Sequence, residues 1–271
     1  MEKIINKTVI FILYLPVLIY ASFEKNEAGA EPLALGNACV ALQGSPYALY
    51  YNPANIHDIP SLQFVFSYQT FYGITEINQI NLIANYQIKK LPFSLGINRF
   101  GNNLYQEIQF TMGSSYQLIN NTYIGVSVQY YSLQIKRYGQ SATWGVNLGF
   151  QYNAIENLDI GIQVTNINQP HLGKIKEKLP QCFSLGFCYR PIMSIKLLAE
   201  FFRDVSFEQD YRTGIAYNVS ENFIIRVGII DKYNSYNLGF GINVKHIVFD
   251  YALLNHQILG ISHVISMIMA I

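Results

Sequence analysis

The chain has 271 residues, a formal net charge of +1, 51% hydrophobic residues and only 13% charged ones, against a usual globular share of about 25%. That balance argues against electrostatic capture of nucleic acid or of an acidic substrate. Aromatics are plentiful, with 21 Tyr and 17 Phe, yet past the N-terminus no apolar run approaches the roughly 20 residues a membrane helix needs. Two classes fit: a soluble β-protein with a large core, or a β-barrel that shows its apolar face to lipid.

Lys3 and Lys7 make a basic start, Thr8 to Tyr20 is almost wholly apolar with Pro16 inside it, and Ala21 and Ser22 are small. This is the layout of a secretory signal over residues 1–22, with cleavage predicted after Ala21 or Ser22. Its apolar run is too short for a comfortable span, and an uncleaved anchor is the alternative. Ala28-Gly29-Ala30 also fits the small-x-small rule but lies far from the apolar run. No Cys follows that run, which disfavours a lipoprotein.

Residues 23–60 lack strand alternation and are rich in Ala, Gly, Pro and Asn. They are apolar enough to be ordered, and they read as a plug folded into a barrel lumen. Small residues let such a segment's backbone approach a Gly-lined wall. A periplasmic linker is the alternative, and it would be more charged and less apolar. Leu33, Leu35, Val40, Leu42, Leu49 and Ile56 are the candidate lining of a lumen pocket between plug and wall.

Residues 61–271 alternate with period two. Trp144, Val146, Leu148, Phe150 and Tyr152 share one face and Gly145, Asn147, Gly149, Gln151 and Asn153 the other. Phe93, Leu95 and Ile97 oppose Ser94, Gly96 and Asn98 in the same way. A soluble sandwich alternates too, but it exposes Lys, Glu, Asp and Arg on its polar face. Here that face is mostly Gly, Ser, Asn and Gln, as suits a sheltered lumen with lipid outside. The pattern predicts about 14 strands, near 62–71, 77–88, 92–100, 105–118, 122–136, 142–153, 157–166, 181–190, 194–203, 209–218, 222–231, 235–244, 246–253 and 257–269, with 12 as the rival count. An even number lets an antiparallel barrel close without edges. The expected fold class is therefore all-β, a transmembrane antiparallel barrel with an N-terminal plug.

Loop parity agrees with that reading. If the first strand runs outward, the turns after even strands are periplasmic and should be short. They are, for example Lys89-Lys90-Leu91 and Ile119-Asn120-Asn121, while the longest loop, Ile167 to Pro180, falls outside. Tyr68, Phe71, Tyr72, Tyr116, Tyr130, Tyr131, Tyr152 and Tyr189 sit near strand ends, where interfacial girdles would place them. NNTYIGV, ENLDIGI and ENFIIRVGI begin three strands alike, as in a barrel grown from duplicated hairpins.

Few residues offer chemistry. The five histidines show no metal spacing, no cofactor motif is present, and no metal or catalytic residue is assigned. Ser262 and His263 are adjacent on a strand and so point to opposite faces. Cys182 and Cys188, on one predicted strand, would lie about 20 Å apart, too far to bridge. Charges on the lumen side are Asp159, Arg190, Lys196, Glu200, Arg212, Arg226 and Asp250. A hairpin centred on Ser206 would set Glu200 opposite Arg212 as a cross-strand ion pair, stiffening the wall, anchoring the plug or steering a ligand head group.

Ala34-Leu35-Gly36-Asn37-Ala38, Val40-Ala41-Leu42 and Pro46-Tyr47-Ala48-Leu49-Tyr50-Tyr51-Asn52-Pro53-Ala54 resemble the N-terminal signature of PorV/PorQ-type proteins, relatives of the FadL-type fatty-acid channel. Asp250-Tyr251-Ala252 and Leu259-Gly260-Ile261-Ser262-His263 are similar to that family's last two strands. The resemblance implies a 14-stranded outer-membrane barrel whose plug carries the Asn52, Pro53, Ala54 motif. It implies passive transport of a hydrophobic small-molecule ligand, or else a non-transporting role with secretion-system proteins as partners, besides membrane lipid itself. The chain is short for the group, which counts against a large external docking platform. It also ends Met269-Ala270-Ile271, without the terminal aromatic typical of barrel-assembly signals.

Overall fold

A computed structural model describes residues 22–23, 27–59, 62–88, 91–174, 176–232 and 234–271. The predicted signal, apart from Ser22, lies outside the described residues. From Leu62 on, alternation is converted into strands: β1 (Leu62–Phe71), β2 (Ile74–Ile88), β3 (Leu91–Gly101), β4 (Tyr105–Ile119), β5 (Thr122–Ile135), β6 (Gly139–Ile155) and β7 (Leu158–Val164). A two-residue pair follows, β8 (His171–Leu172) and β9 (Glu177–Lys178). Then come β10 (Cys182–Ile192), β11 (Ile195–Asp204), β12 (Gln209–Ser220), β13 (Phe223–Ile230), β14 (Ser235–Val244), β15 (Ile247–His256) and β16 (Gly260–Ala270).

Fourteen of these strands form one closed antiparallel barrel, with β1 pairing β16 from Gln63↔Ala270 to Thr70↔His263. Closure leaves no edge, so every wall strand is hydrogen-bonded on both sides. The remaining pair, β8–β9, is a small hairpin inside the long 165–181 loop. Register shifts occur only near strand ends, at Thr70/Phe71, Gln117/Ile119, Asn153/Ile155, Tyr189/Ile192 and Asn218/Ser220. The described wall is continuous through its middle.

The two faces divide as the alternation requires. Phe64, Phe66, Leu82, Leu95, Ile97, Leu148 and Ile215 are exposed outward, while Gln63, Ser67, Asn81, Ser94, Asn98 and Asn147 are buried inside. An outward apolar surface of this extent is stable only under an apolar cover. Three aromatics expected in the girdles, Phe71, Tyr72 and Tyr131, are not there. Phe71 and Tyr131 are buried, and Tyr72 turns into the lumen beside Phe71. Tyr130 takes the outward position against Phe110 and Trp144, and successive strand residues point to opposite faces, so Tyr130-Tyr131 cannot place both rings in one girdle. Tyr131 instead bonds Gln129 and Asn166 and packs against Phe23.

The plug fills the lumen with short pieces of helix: α1 (Ala30–Ala34), α2 (Ala48–Tyr51) and a 3-10 turn, η1 (Pro53–Asp58). Its backbone lies against paired glycines of the wall, Gly161↔Gly186, Gly214↔Gly228 and Gly125↔Gly149. A Cβ at Gly228 would collide with the backbone of Leu35 and Gly36, and one at Gly214 would sit 2.6 Å from the Leu35 carbonyl oxygen. Glycine is used here because a backbone occupies the space a side chain would take.

Candidate functional site

The plug is fastened by polar side chains that sequence periodicity points into the lumen. Asn52 is buried and caps η1, its Oδ1 accepting from the Ala54 N–H at 3.0 Å, with Pro53 at the first turn. Its Nδ2 donates to Val40 O at 2.7 Å within the plug and to Phe150 O at 3.0 Å on the wall. Asn55 Nδ2 donates to Val40 O and Leu42 O, both at 3.2 Å. The Asn52, Pro53, Ala54 motif therefore ties the two halves of the plug to each other and to β6.

Charges fasten it elsewhere. Arg226 Nη1 lies 2.6 Å from Asp250 Oδ1, and Nη2 lies 3.5 Å from Glu31 Oε1 of α1. Glu31 in turn accepts from the Ser45 hydroxyl at 2.8 Å. Glu200 and Arg212 are register partners across β11 and β12, with their nearest atoms 4.0 Å apart. Glu200 also accepts the Val40 N–H at 2.9 Å, and Arg212 Nε holds Asp210 at 3.0 Å. Arg190 pairs with Asp159 at 2.6 Å.

Above the plug lies a cavity of about 390 Å³. It is bounded by Tyr50 and Tyr51 of α2, by Phe71 and Tyr72 at the first hairpin, by Phe202 and Phe207 at the β11–β12 hairpin, and by Phe23. Gln69, Gln163, Ser184 and Ser262 supply neutral polar atoms, and Glu27, Glu200, Asp204, Arg212 and Lys232 supply charge. Most of these elements belong to the end that carries the 165–181 loop, which is the external end if β1 runs outward. Burial pushes the phenols of Tyr50 and Tyr51 well up, so both are neutral at the cavity floor.

The six residues expected to line the pocket take another place. Leu33, Leu35, Val40, Leu42, Leu49 and Ile56 are all fully buried, and none borders this cavity. They pack into the seam between plug and wall: Leu35 and Leu42 with Cys188 and Leu198, Leu49 and Ile56 with Val65 and Ile83, Leu33 with Ala252 and Val264. That placement has a simple cause. Apolar side chains on a plug bury best where the wall is already close, and the space left over falls above the plug, where larger rings meet. A signal for those rings existed in the aromatic clusters at Phe71-Tyr72 and Phe201-Phe202, but periodicity does not say how high a ring sits in the lumen.

Ser262 and His263 diverge as strand geometry demands. Ser262 is buried and accepts from the Tyr72 N–H at 3.0 Å, whereas exposed His263 meets the Tyr251 hydroxyl at 2.7 Å on the outer face.

No family model matches the sequence, and comparison with curated proteins gives no match either. Solved structures do match in fold. The chain is similar to the toluene transporter TbuX of Ralstonia pickettii, with TM-score 0.71 and 13% identity over 92% of this chain and 99% of that one. It is similar to the toluene transporter TodX of Pseudomonas putida, with TM-score 0.70 and 12% identity over 91% and 97%. A FadL homologue of Pseudomonas aeruginosa matches with TM-score 0.62 and 10% identity over 89% and 97%. At such identities the likeness establishes the fold alone, a closed β-barrel.

Proposed function

We propose that this chain is an outer-membrane barrel, exported by a cleaved signal, that takes up small hydrophobic molecules passively. The observation that carries the reading is the aromatic-walled cavity of about 390 Å³ inside a sealed barrel. A concave, mostly apolar space with a few fixed polar groups is the usual form of a small-molecule site. The outward apolar face suits a lipid bilayer, and lipid is its first partner. The structural neighbours named as toluene transporters and the FadL homologue support the same reading by architecture. Within that architecture, the Asn52-Pro53-Ala54 signature favours the PorV/PorQ type.

One observation favours a second reading. The plug is seated on glycine in the lumen, and the described strands pair all the way round the barrel, as suits a non-transporting component of a protein secretion system. Mass spectrometry of molecules extracted from the folded, purified protein separates the two. Uptake predicts a bound apolar molecule that is lost in a Phe202→Glu variant. A protein with nothing bound, and a partner protein recovered by cross-linking in cells, would favour the secretion component.

A further inference from the structure

The polar groups around the cavity are unequally engaged, and this bears on which hydrophobic molecules it would accept. Its charges are committed to partners within the protein. Arg212 holds Asp210 at 3.0 Å, faces Glu200 at 4.0 Å, lies 3.8 Å over the Phe202 ring and is acted on by the Glu27 carboxylate as well. Glu200 also accepts the Val40 N–H at 2.9 Å, and Asp204 accepts the Ser206 N–H at 2.9 Å. Lys232 Nζ lies 4.9 Å over the Phe207 ring. An ionised head group of either sign would have to break into this set inside a sheltered space, where charges act on one another strongly.

One neutral side chain is not committed. Gln69 of β1 lines the cavity and is 5% exposed, and its amide makes no hydrogen bond among the described residues. Its register partner on β2, Gln79, does not satisfy it: Gln79 Nε2 donates to Glu27 O at 2.7 Å, and Gln79 Oε1 is itself buried without a partner. On the other side, β16 sets Val264 opposite Gln69, and Ser262, two residues on, lines the cavity from the same face. Ser262 Oγ accepts the Tyr72 N–H at 3.0 Å, and its own O–H has no acceptor among the described residues. Buried amides are nearly always paired. A pure hydrocarbon in the cavity would turn the Gln69 amide against carbon without compensation. A carbonyl would meet only its N–H, whereas a hydroxyl both donates and accepts and so matches both ends of an amide. We propose that the cavity selects uncharged hydrophobic molecules carrying one hydroxyl, small phenols or alcohols, and that Gln69, with the Ser262 hydroxyl beside it, receives that group. This rests on the uptake reading and narrows its substrate class.

The test is binding of four probes to the full-length protein in nanodiscs, each corrected against empty nanodiscs. p-Cresol and p-xylene differ only by a hydroxyl in place of a methyl, and p-cresol, a phenol like the tyrosine side chain, is neutral at about pH 7. 4-Methylbenzoate and 4-methylbenzylammonium carry a charge of either sign on the same ring. The expected result is that p-cresol binds at least tenfold more tightly than either ion, and that Gln69→Met, which keeps the length and removes the amide, lowers the ratio of p-cresol to p-xylene affinity at least fivefold. β-Sheet circular dichroism establishes that the variant is folded; should it fail that check, Ser262→Ala is held to the same fall in the ratio. If p-xylene binds and p-cresol does not, or if either ion binds as tightly as p-cresol, the head-group inference is overturned while hydrophobic uptake stands. A ratio that falls less than fivefold overturns the assigned receptor. If none of the four binds above empty nanodiscs, both the inference and the uptake reading fall.

Discussion

Asn52 and Arg226 each join plug to wall from a fully enclosed position, so each should be costly to truncate. Asn52→Ala removes an N-cap and the Nδ2 bonds to Val40 O, which keeps Asn55 as a donor, and to Phe150 O, which together should cost about 1–3 kcal/mol. Arg226→Ala would strand the buried Asp250 and the plug's Glu31 without their cation, at about 3–5 kcal/mol. Denaturant unfolding in micelles reads both; losses under about 1 kcal/mol would mean the plug is held by packing alone. His57 supplies a pH dependence. It stacks on Tyr123 with centroids 3.5 Å apart and hydrogen-bonds Ala54 O at 2.7 Å. Burial lowers its pKa from the usual 6.5, against weaker opposing pulls from Ala54 O, Asp58 and Asp159. A lowered histidine favours the neutral form when folded, so its contribution is present above pH 6.5 and lost as pH falls through the folded value. Melting curves from pH 8 to 5 should therefore decline less for His57→Gln than for the wild type; parallel declines would place the dependence elsewhere. At this scale the sequence was partly legible. Strand parity set Glu200 opposite Arg212 and sent Ser262 and His263 apart, because both follow from a period of two. The cavity rings were not legible, since Phe71, Tyr51 and Phe202 meet only after the plug has chosen its height.

Among the elements, the wall strands were readable because a period of two over ten or more residues is hard to mistake, and boundaries moved by only a few residues. β6 reaches back to Gly139 through Gln140 and Ser141, polar residues that extend the pairing with β5 down to Ile135↔Gly139. β8 and β9 escaped notice because two residues carry no period. The glycine pairs were readable as a polar, small-residue face, and the structure gives them a use: they are the seat of the plug. Gly228→Val should therefore displace α1 and raise protease sensitivity within residues 27–59, while the barrel's β-sheet signal persists. A variant as resistant as the wild type would show that the plug does not depend on this close approach.

For the whole molecule, closure and filling set the terms of function. Fourteen strands give a wall without edges, the plug occupies the lower lumen, and the wall is continuous between its end irregularities. On the proposed uptake reading, a molecule in the cavity goes further by movement of the plug. Gln43 and Asn153 offer a way to prevent that, because the plug's Gln43 Nε2 meets Asn153 Oδ1 of β6 at 2.5 Å, so cysteines at the two positions can be joined by a short bis-methanethiosulfonate linker. The decisive measurement is uptake of a labelled neutral aromatic hydrocarbon by cells carrying the wild type, an empty vector, or Gln43→Cys/Asn153→Cys. Uptake through a moving plug predicts that the wild type exceeds the vector, that the cross-linked double variant falls to the vector's level, and that reduction restores it. Wild-type uptake no higher than the vector's, or undiminished uptake by the cross-linked variant, would contradict it.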